Sequence, residues 1–286
     1  MKKRIEIASN YSAIFHNGKT LRIPLNPQLE IKELINPEFY DISLGTYCKG
    51  GCPYCYASAS TRGNNYKNVS EKIKDFFQKI PLEDRPFQVA IGGGGEPTLH
   101  PEFEKVLKTF SELDIVPNYT TNGMHLDENL IKITKRYCGG VALTLHPHLK
   151  KYWEKGLKLL TDNNIKTNVH LVIWDKKTID TLNDYYNKYF NIVEYFVLLP
   201  RMNVGFAKKN PHEIDYKYLK NWLDNNYQNS NIAFGANFYN FLKDPENNQY
   251  NVALYPPEIM SKYMVLEDKI KIYNNSFECK LIKEIN

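Results

Sequence analysis

The stretch Tyr47-Cys48-Lys49-Gly50-Gly51-Cys52-Pro53-Tyr54-Cys55-Tyr56 holds three of the chain's five cysteines within eight residues. Cys-x3-Cys-x2-Cys spacing lets three thiolates face one small volume. The Gly50-Gly51 pair permits a tight curl and Pro53 stiffens the return. A loop of this size suits a cubane. With Cys48, Cys52 and Cys55 as ligands, a four-iron, four-sulfur cluster keeps one iron free of protein, and an open coordination position is where a metal site does chemistry. The competing reading is a structural zinc knot completed by Cys138 or Cys279. Zinc sites usually pair two Cys-x2-Cys units, and the chain has no second one.

With 286 residues and 42% hydrophobic composition, the chain suits one large α/β domain or two small ones. No apolar run approaches the roughly 18 residues that span a bilayer, and Met1-Lys2-Lys3-Arg4 leads into an alternating segment rather than a signal-peptide core. A cytoplasmic protein without membrane association is expected. Clustered cysteines argue against a disulfide framework, and a reducing compartment suits an iron-sulfur cluster. The net charge of +5 is spread over scattered lysines, so nucleic acid is not a favoured partner.

Outward from the cysteine loop, residues 4–24 alternate as hairpin strands about an Asn17-Gly18 turn. A connector carrying Pro24, Pro27 and Pro37 leads to a strand over 39–45. Strand and helix patterns then alternate: helix 69–80, strand 87–91, a helix after Pro101, strand 115–120, and a helix capped by Asp127 and stopped by Gly139-Gly140. Strand 141–145, helix 148–160, strand 165–173, helix 178–190, strand 193–199, helix 214–227 and a last strand over 232–241 complete the series. Six such units imply parallel strands with right-handed crossovers, in a barrel or an open sheet. Period-2 splits place Val141, Leu143, Leu145, Val169, Leu171 and Ile173 outward. Thr144, His146, Asn168 and His170 then face inward, with Asn118, Thr120 and Asn122 on one face of their own strand.

The cysteine spacing, with Tyr54 just before the last ligand, resembles the signature of the radical S-adenosylmethionine (radical SAM) superfamily. About 40 residues on, Gly92-Gly93-Gly94-Gly95-Glu96-Pro97 resembles that family's Gly-Gly-Glu-Pro turn. The resemblance covers roughly residues 39–206 and implies a partial (β/α)6 TIM-type barrel, an α/β fold. With its flanks the chain divides into an N-terminal β-hairpin and connector (1–38), the barrel (39–241) and a C-terminal extension (242–286) that packs on the barrel mouth or its side.

The resemblance also implies the chemistry: one [4Fe-4S] cluster, reductive cleavage of S-adenosylmethionine to a 5′-deoxyadenosyl radical, and hydrogen abstraction from an organic substrate. Cys48, Cys52 and Cys55 match the cluster ligands and Tyr54 the aromatic against adenine. Gly94, Gly95 and Glu96 match the turn that receives the methionyl amine through backbone carbonyls. Thr121-Asn122-Gly123 resembles the turn after the third strand, bringing Thr120 or Asn122 to the ribose or carboxylate. Thr144, His146, Asn168 and His170 are further candidate contacts. Arg201, in a segment resembling the sixth-strand end, is read either as partner of the methionyl carboxylate or as a solvated surface arginine.

Cys138 and Cys279 are too few for another conventional cluster. An electron donor such as flavodoxin or ferredoxin is implied. A peptide or protein side chain ranks ahead of a nucleotide or small metabolite as substrate, and a glycyl-radical activase is a further alternative. The aromatic flanks with Tyr250, Tyr255 and Tyr263 suit either a substrate wall or packing. A non-catalytic iron-sulfur or zinc protein is the reading from another class.

Overall fold

Alternating apolar periods become alternating strands and helices in the computed structural model, which describes residues 1–228, 230–250 and 257–285. Tyr255 and Pro256 lie outside the described residues. Three antiparallel strands, β1 (Lys2–Glu6), β2 (Tyr11–His16) and β3 (Lys19–Pro24), open the chain. Asn17 and Gly18 both take positive φ at the β2–β3 turn, as Asn-Gly predicts. β1 stops at Glu6, where a 3₁₀ turn, Ile7–Ser9, leads into Asn10 in the left-handed conformation. The Asn10 amide then clamps the carbonyls of Asn26 and Leu29.

The main sheet begins with β4 (Phe39–Ser43), α1 (Val69–Phe77), β5 (Gln88–Ile91), α2 (Phe103–Glu112), β6 (Val116–Thr121) and α3 (Glu128–Tyr137). It continues through β7 (Gly140–Thr144), α4 (Lys150–Asp162), β8 (Thr167–Ile173), α5 (Lys176–Tyr189), β9 (Tyr195–Pro200), α6 (Tyr216–Asn226) and β10 (Ile232–Phe234). Neighbours from β4 to β10 pair in parallel and in chain order. The expected six-stranded unit is β4–β9. On the far side of β4 the tail adds β11 (Ser261–Leu266), parallel to β4, then β12 (Ile270–Tyr273) and β13 (Leu281–Ile285), both antiparallel. The strand expected over 232–241 ends at Phe234, where Gly235 starts a 3₁₀ turn and a short helix that bury Phe238 and Leu242.

Every strand of the unit follows the period-2 split. Ile42, Val89, Tyr119, Val141, Val169 and Phe196 are buried outward against the helices. Asp41, Ala90, Asn118, Ala142, His170 and Val197, facing the other way, all keep partial accessibility. The barrel therefore has an interior with free space. The N-terminal sheet lies under the strand starts rather than at the mouth: Phe15 stacks on Phe87 just before β5, ring centroids 5.5 Å apart, in a small core with Tyr11, Ile31, Leu34 and Met260. Access to the interior is thus left to the opposite end, where the strands finish.

A buried carboxylate pins that plug to the barrel. Glu38, one residue before β4, accepts from Tyr11 Oη (2.7 Å) and from Arg22 Nε and Nη2 (2.8 and 2.6 Å). Glu38→Ala strands a buried phenol and one face of a bidentate guanidinium. With Arg22 partly solvated, the expected loss is about 2–3 kcal/mol, read as a lower urea midpoint with unchanged slope; an unchanged midpoint would show that the clamp contributes nothing.

Candidate functional site

Residues 46–60 form no helix or strand beyond an isolated bridge between Tyr47 and Ser60, so the cysteine loop takes its shape from its neighbours. Gly95 N donates to Gly45 O (2.6 Å) and Glu96 N to Tyr47 O (2.8 Å), fastening the glycine turn to the loop. A Cβ at Gly94 would lie 2.3 Å from Gly45 O, and one at Gly95 2.2 Å from Tyr47 O. The glycines are required here by backbone meeting backbone, a demand separate from any close approach of a cofactor. Behind the loop, Phe206 N donates to Cys55 O (2.9 Å), and Gly205, at φ +59, has no room for a Cβ beside Tyr56 O (2.1 Å).

The Cys48 and Cys52 thiols flank Gly50, and Cys55 lies near enough to act on both. A Cβ on Gly50 would lie 3.3 Å from Cys48 Sγ and 3.6 Å from Cys52 Sγ, so this glycine forms the floor beneath two of them. Burial first, then the neighbouring Cys55 and Cys48, push the Cys52 thiol up to about 12; burial likewise raises Cys48. Among the described residues no three His, Cys, Asp or Glu side chains meet at single-ion distance. Three thiols carried on one short loop are the donor chemistry an iron-sulfur cluster takes. Cys138 packs at the end of α3 among outer-layer apolar residues, and Cys279 lies exposed in the tail.

Glu96 is buried, and its carboxylate serves the protein itself. Oε1 accepts from Thr98 Oγ1 (2.6 Å) and Thr121 Oγ1 (2.7 Å), and Oε2 from Asn122 N (2.9 Å). The side chain thereby braces the turn after β6 against the glycine turn after β5. Asn122 is also committed: Oδ1 accepts from Met124 N (2.9 Å), and Nδ2 lies 3.7 Å from Cys48 Sγ. Thr120 faces inward beside Gly92.

An aromatic group stands beside the loop. Tyr54 Oη and His146 Nδ1 are 3.0 Å apart, and Trp174 packs on the Tyr54 ring at 5.2 Å. Tyr54, Thr144, His146 and Trp174 line one small enclosed cavity. Burial, then His148 and His170, holds the His146 imidazole neutral, at about 3. Arg201 is 8% exposed, which sets aside the surface reading. Its guanidinium lies over Trp174 (5.1 Å) and Tyr54 (5.9 Å), and Nη2 donates to Asn210 O (2.5 Å). Arg201 Nε is buried without a partner, an unspent donor suited to an anion.

Asn168 and His170 face the interior from β8, His170 in register with Thr144 and Val197. Burial keeps His170 neutral, at about 4. Tyr263 borders the interior from β11, its hydroxyl donating to Gly93 O (3.0 Å), whereas Tyr250 is core, packed on Tyr227 with its hydroxyl on Asp224 (2.6 Å).

Three residues of the site escaped the sequence reading. His148, carried back over the loop by the Pro147–Leu149 turn, places Nε2 3.0 Å from Gly50 O and 3.6 Å from Cys52 Sγ. The same turn explains why α4 starts at Lys150 rather than 148. Trp174 follows β8. Asp41 sits mid-strand on β4, an acid on the inward face, and period 2 alone would have marked it.

Asp41 is surrounded by protein yet keeps some accessible surface, the combination expected of a residue lining an internal space. Burial raises its pKa from 3.8 to about 7. The folded chain then retains a proton that the unfolded chain has lost, so the native state loses stability as pH rises from about 4 to 7. Asp41→Asn is expected to be near neutral at pH 4.5 and to stabilise by about 2–4 kcal/mol at pH 8, seen as a melting-temperature difference that grows with pH; a constant difference would refute a buried charge. Gly95→Ala, which drives a methyl into Tyr47 O, is expected to abolish cluster loading, while Gly18→Ala, which strains only a remote hairpin turn at φ +81, leaves loading intact. Iron and sulfide content after reconstitution measures both.

The family model of the Radical SAM superfamily matches residues 42–147, a span holding both the cysteine loop and the glycine turn. Among curated proteins, the 7,8-dihydro-6-hydroxymethylpterin dimethyltransferase of Methanocaldococcus jannaschii is 28% identical over 87 residues, 30% of this chain and 17% of that protein. Among solved structures, SuiB of Streptococcus suis bound to precursor peptide SuiA aligns with a TM-score of 0.66 at 18% identity, over 89% of this chain and 63% of SuiB. SuiB bound to S-adenosylmethionine aligns at 0.62 and 17%, over 82% of this chain and 60% of SuiB. anSMEcpe with bound AdoMet aligns at 0.61 and 16%, over 84% of this chain and 74% of its own. The chain therefore spans less than two thirds of SuiB and a small part of the dimethyltransferase, and the structural likenesses at these identities speak for the fold. The family match falls on the loop and turn that the fold fastens together, so residues 42–147 are similar to the Radical SAM superfamily.

Proposed function

We propose that this chain is a radical SAM enzyme that abstracts hydrogen from a peptide or protein side chain, using one [4Fe-4S] cluster. The observation that carries the reading is the cysteine loop fastened to the Gly94–Gly95 turn at the mouth of a partly open interior. When bound, the cluster and S-adenosylmethionine supply an electron and a 5′-deoxyadenosyl radical. Cys48, Cys52 and Cys55 hold the cluster, and Asn122 and His148 orient Cys48 and Cys52 from behind. Arg201 offers its free Nε to the methionyl carboxylate. Tyr54, held by His146 and Trp174, lies against adenine, the carbonyls of Gly94 and Gly95 take the amine, and Thr120, Thr144, Asn168 and His170 border the remainder.

The interior walls keep stray C–H and S–H donors away from a radical that would abstract from them, while the N-terminal sheet closes the lower end. Two observations favour a peptide over a nucleotide. The inward strand positions of β4–β10 carry no Lys or Arg to take a phosphate. β13 is an exposed sheet edge, with Leu281 and Ile282 half exposed, to which an extended segment can add. The structural neighbours SuiB and anSMEcpe have been captured with peptides, SuiA and Cp18Cys. No helix among the described residues is long and apolar enough to cross a membrane. A cytoplasmic setting with flavodoxin or ferredoxin as electron donor completes the proposal.

Anaerobic reconstitution, reduction and addition of S-adenosylmethionine are expected to give four irons per chain and 5′-deoxyadenosine, both lost in a Cys48→Ala/Cys52→Ala/Cys55→Ala chain. Stoichiometric zinc in place of iron would overturn the enzymatic reading. Arg201→Met, which removes a charge-assisted hydrogen bond worth about 1.5–3 kcal/mol, is expected to weaken S-adenosylmethionine binding roughly tenfold to a hundredfold with iron content unchanged; unaltered binding would take Arg201 out of the site.

A further inference from the structure

Four buried or half-buried carboxylates of this protein, Glu6, Glu38, Glu96 and Glu102, are provided with donors. Glu6 has Arg4 and the Ile35 amide, Glu38 has Arg22 and Tyr11, Glu96 has Thr98, Thr121 and Asn122, and Glu102 has the Ser70 hydroxyl with two backbone amides. Asp41 has none: among the described residues no hydrogen bond or ion pair reaches it, and burial alone determines its shifted titration.

Its place is specific. Asp41 points into the barrel from the middle of β4, in register with Ala90 on one side and Tyr263 on the other. A Cβ at Gly93, held at φ +74, would lie 3.1 Å from Asp41 Oδ2 and 2.8 Å from the Tyr263 ring, so the carboxylate abuts the start of the turn fastened to the cysteine loop. The nearby Tyr56 and Tyr263 hydroxyls are neutral, as burial raises both well above the ordinary tyrosine range. Small or uncharged residues, Ala90, Asn118, Ala142, Asn168 and neutral His170, line the adjoining inward positions. Among the described residues, Asp41 is the one acid on the inward face of β4–β10, and no Lys or Arg shares that face. A low-dielectric chamber with a single unpaired carboxylate focuses a negative potential on its free space. It repels anions, and any cation that enters removes the cost of the unpaired charge.

We propose that Asp41 is a specificity residue that pairs with a protonated nitrogen of the substrate, an amine or guanidinium admitted to the barrel interior. The inference takes that interior to be the substrate chamber of the enzyme proposed above, and it narrows the substrate to one that carries a cationic group near the hydrogen to be abstracted. A structural acid would be given donors, as the other four are; a group left without them is completed by its ligand.

The test is a thermal-shift titration of the full chain at pH 8 with n-butylammonium and methylguanidinium, against n-butanol and butyrate as neutral and anionic controls of similar size. Dose-dependent stabilisation by the two cations alone is expected, reduced at least fivefold in Asp41→Asn and Asp41→Ala. No response of the wild-type chain to the cations, an equal response to n-butanol, or an undiminished response in a folded Asp41 variant would overturn the proposal. The comparison of cation with neutral isostere in the wild-type chain needs no variant to fold. It also needs neither cluster nor S-adenosylmethionine, so failure to form 5′-deoxyadenosine would sink the enzymatic reading without altering this result.

Discussion

The site depends on a backbone seam. The cysteine loop has almost no regular structure, yet three thiols must be delivered within a small volume, and the amides of Gly95 and Glu96 do this by donating to the carbonyls of Gly45 and Tyr47. Such a seam needs two main chains closer than any Cβ allows, so Gly94 and Gly95 are steric requirements before they are anything else. It also couples two functions. Whatever holds the glycine turn holds the cluster loop, and the Glu96 carboxylate, by gripping Thr121 and Asn122, extends the coupling to the next strand end, whose Asn122 returns to Cys48. β4, β5 and β6 thus contribute to one rigid rim, with Gly205 and Phe206 closing it from the β9 side.

Much of this was legible because local chemistry and global fold agree. Period-2 strands with apolar outer faces, the Asn17-Gly18 turn and the Asp127 cap, whose Oδ1 accepts from Leu130 N at 2.7 Å, are read directly from residue type. The failures are equally physical. Residues 232–241 look like one strand because Ile, Phe and Tyr alternate there, but Gly235 lets the chain turn and Phe238 is worth more inside the core than in a ladder. The tail shows too little pattern to reveal that Ser261–Leu266 joins the sheet beside β4, a placement set by contacts more than 200 residues apart in sequence.

The same limit applies to roles within the site. Motif positions announced Glu96 and Asn122 as contact residues; within the protein their hydrogen bonds brace the rim, and Asn122 reaches toward Cys48. Type and spacing identify which side chains gather; only the partner atoms tell which have donors or acceptors left over. Arg201 illustrates the distinction from the other side. Linear position left it between a surface charge and a ligand contact, and its buried, unspent Nε beside Tyr54 and Trp174 separates the two.

Leftover capacity is also the thread that joins Arg201 to Asp41. A folded chain normally spends every buried donor and charge, because each one unspent costs more than a surface interaction returns. Here a cationic donor is left beside Tyr54 and Trp174, and an anionic acceptor inside the barrel, beside Gly93. Neither satisfies the other. Destabilisation of this kind persists in a native structure when the missing partner arrives from outside. Under the two proposals, the opposite signs at these positions order the occupants: an anionic head at Arg201 and a cationic group at Asp41.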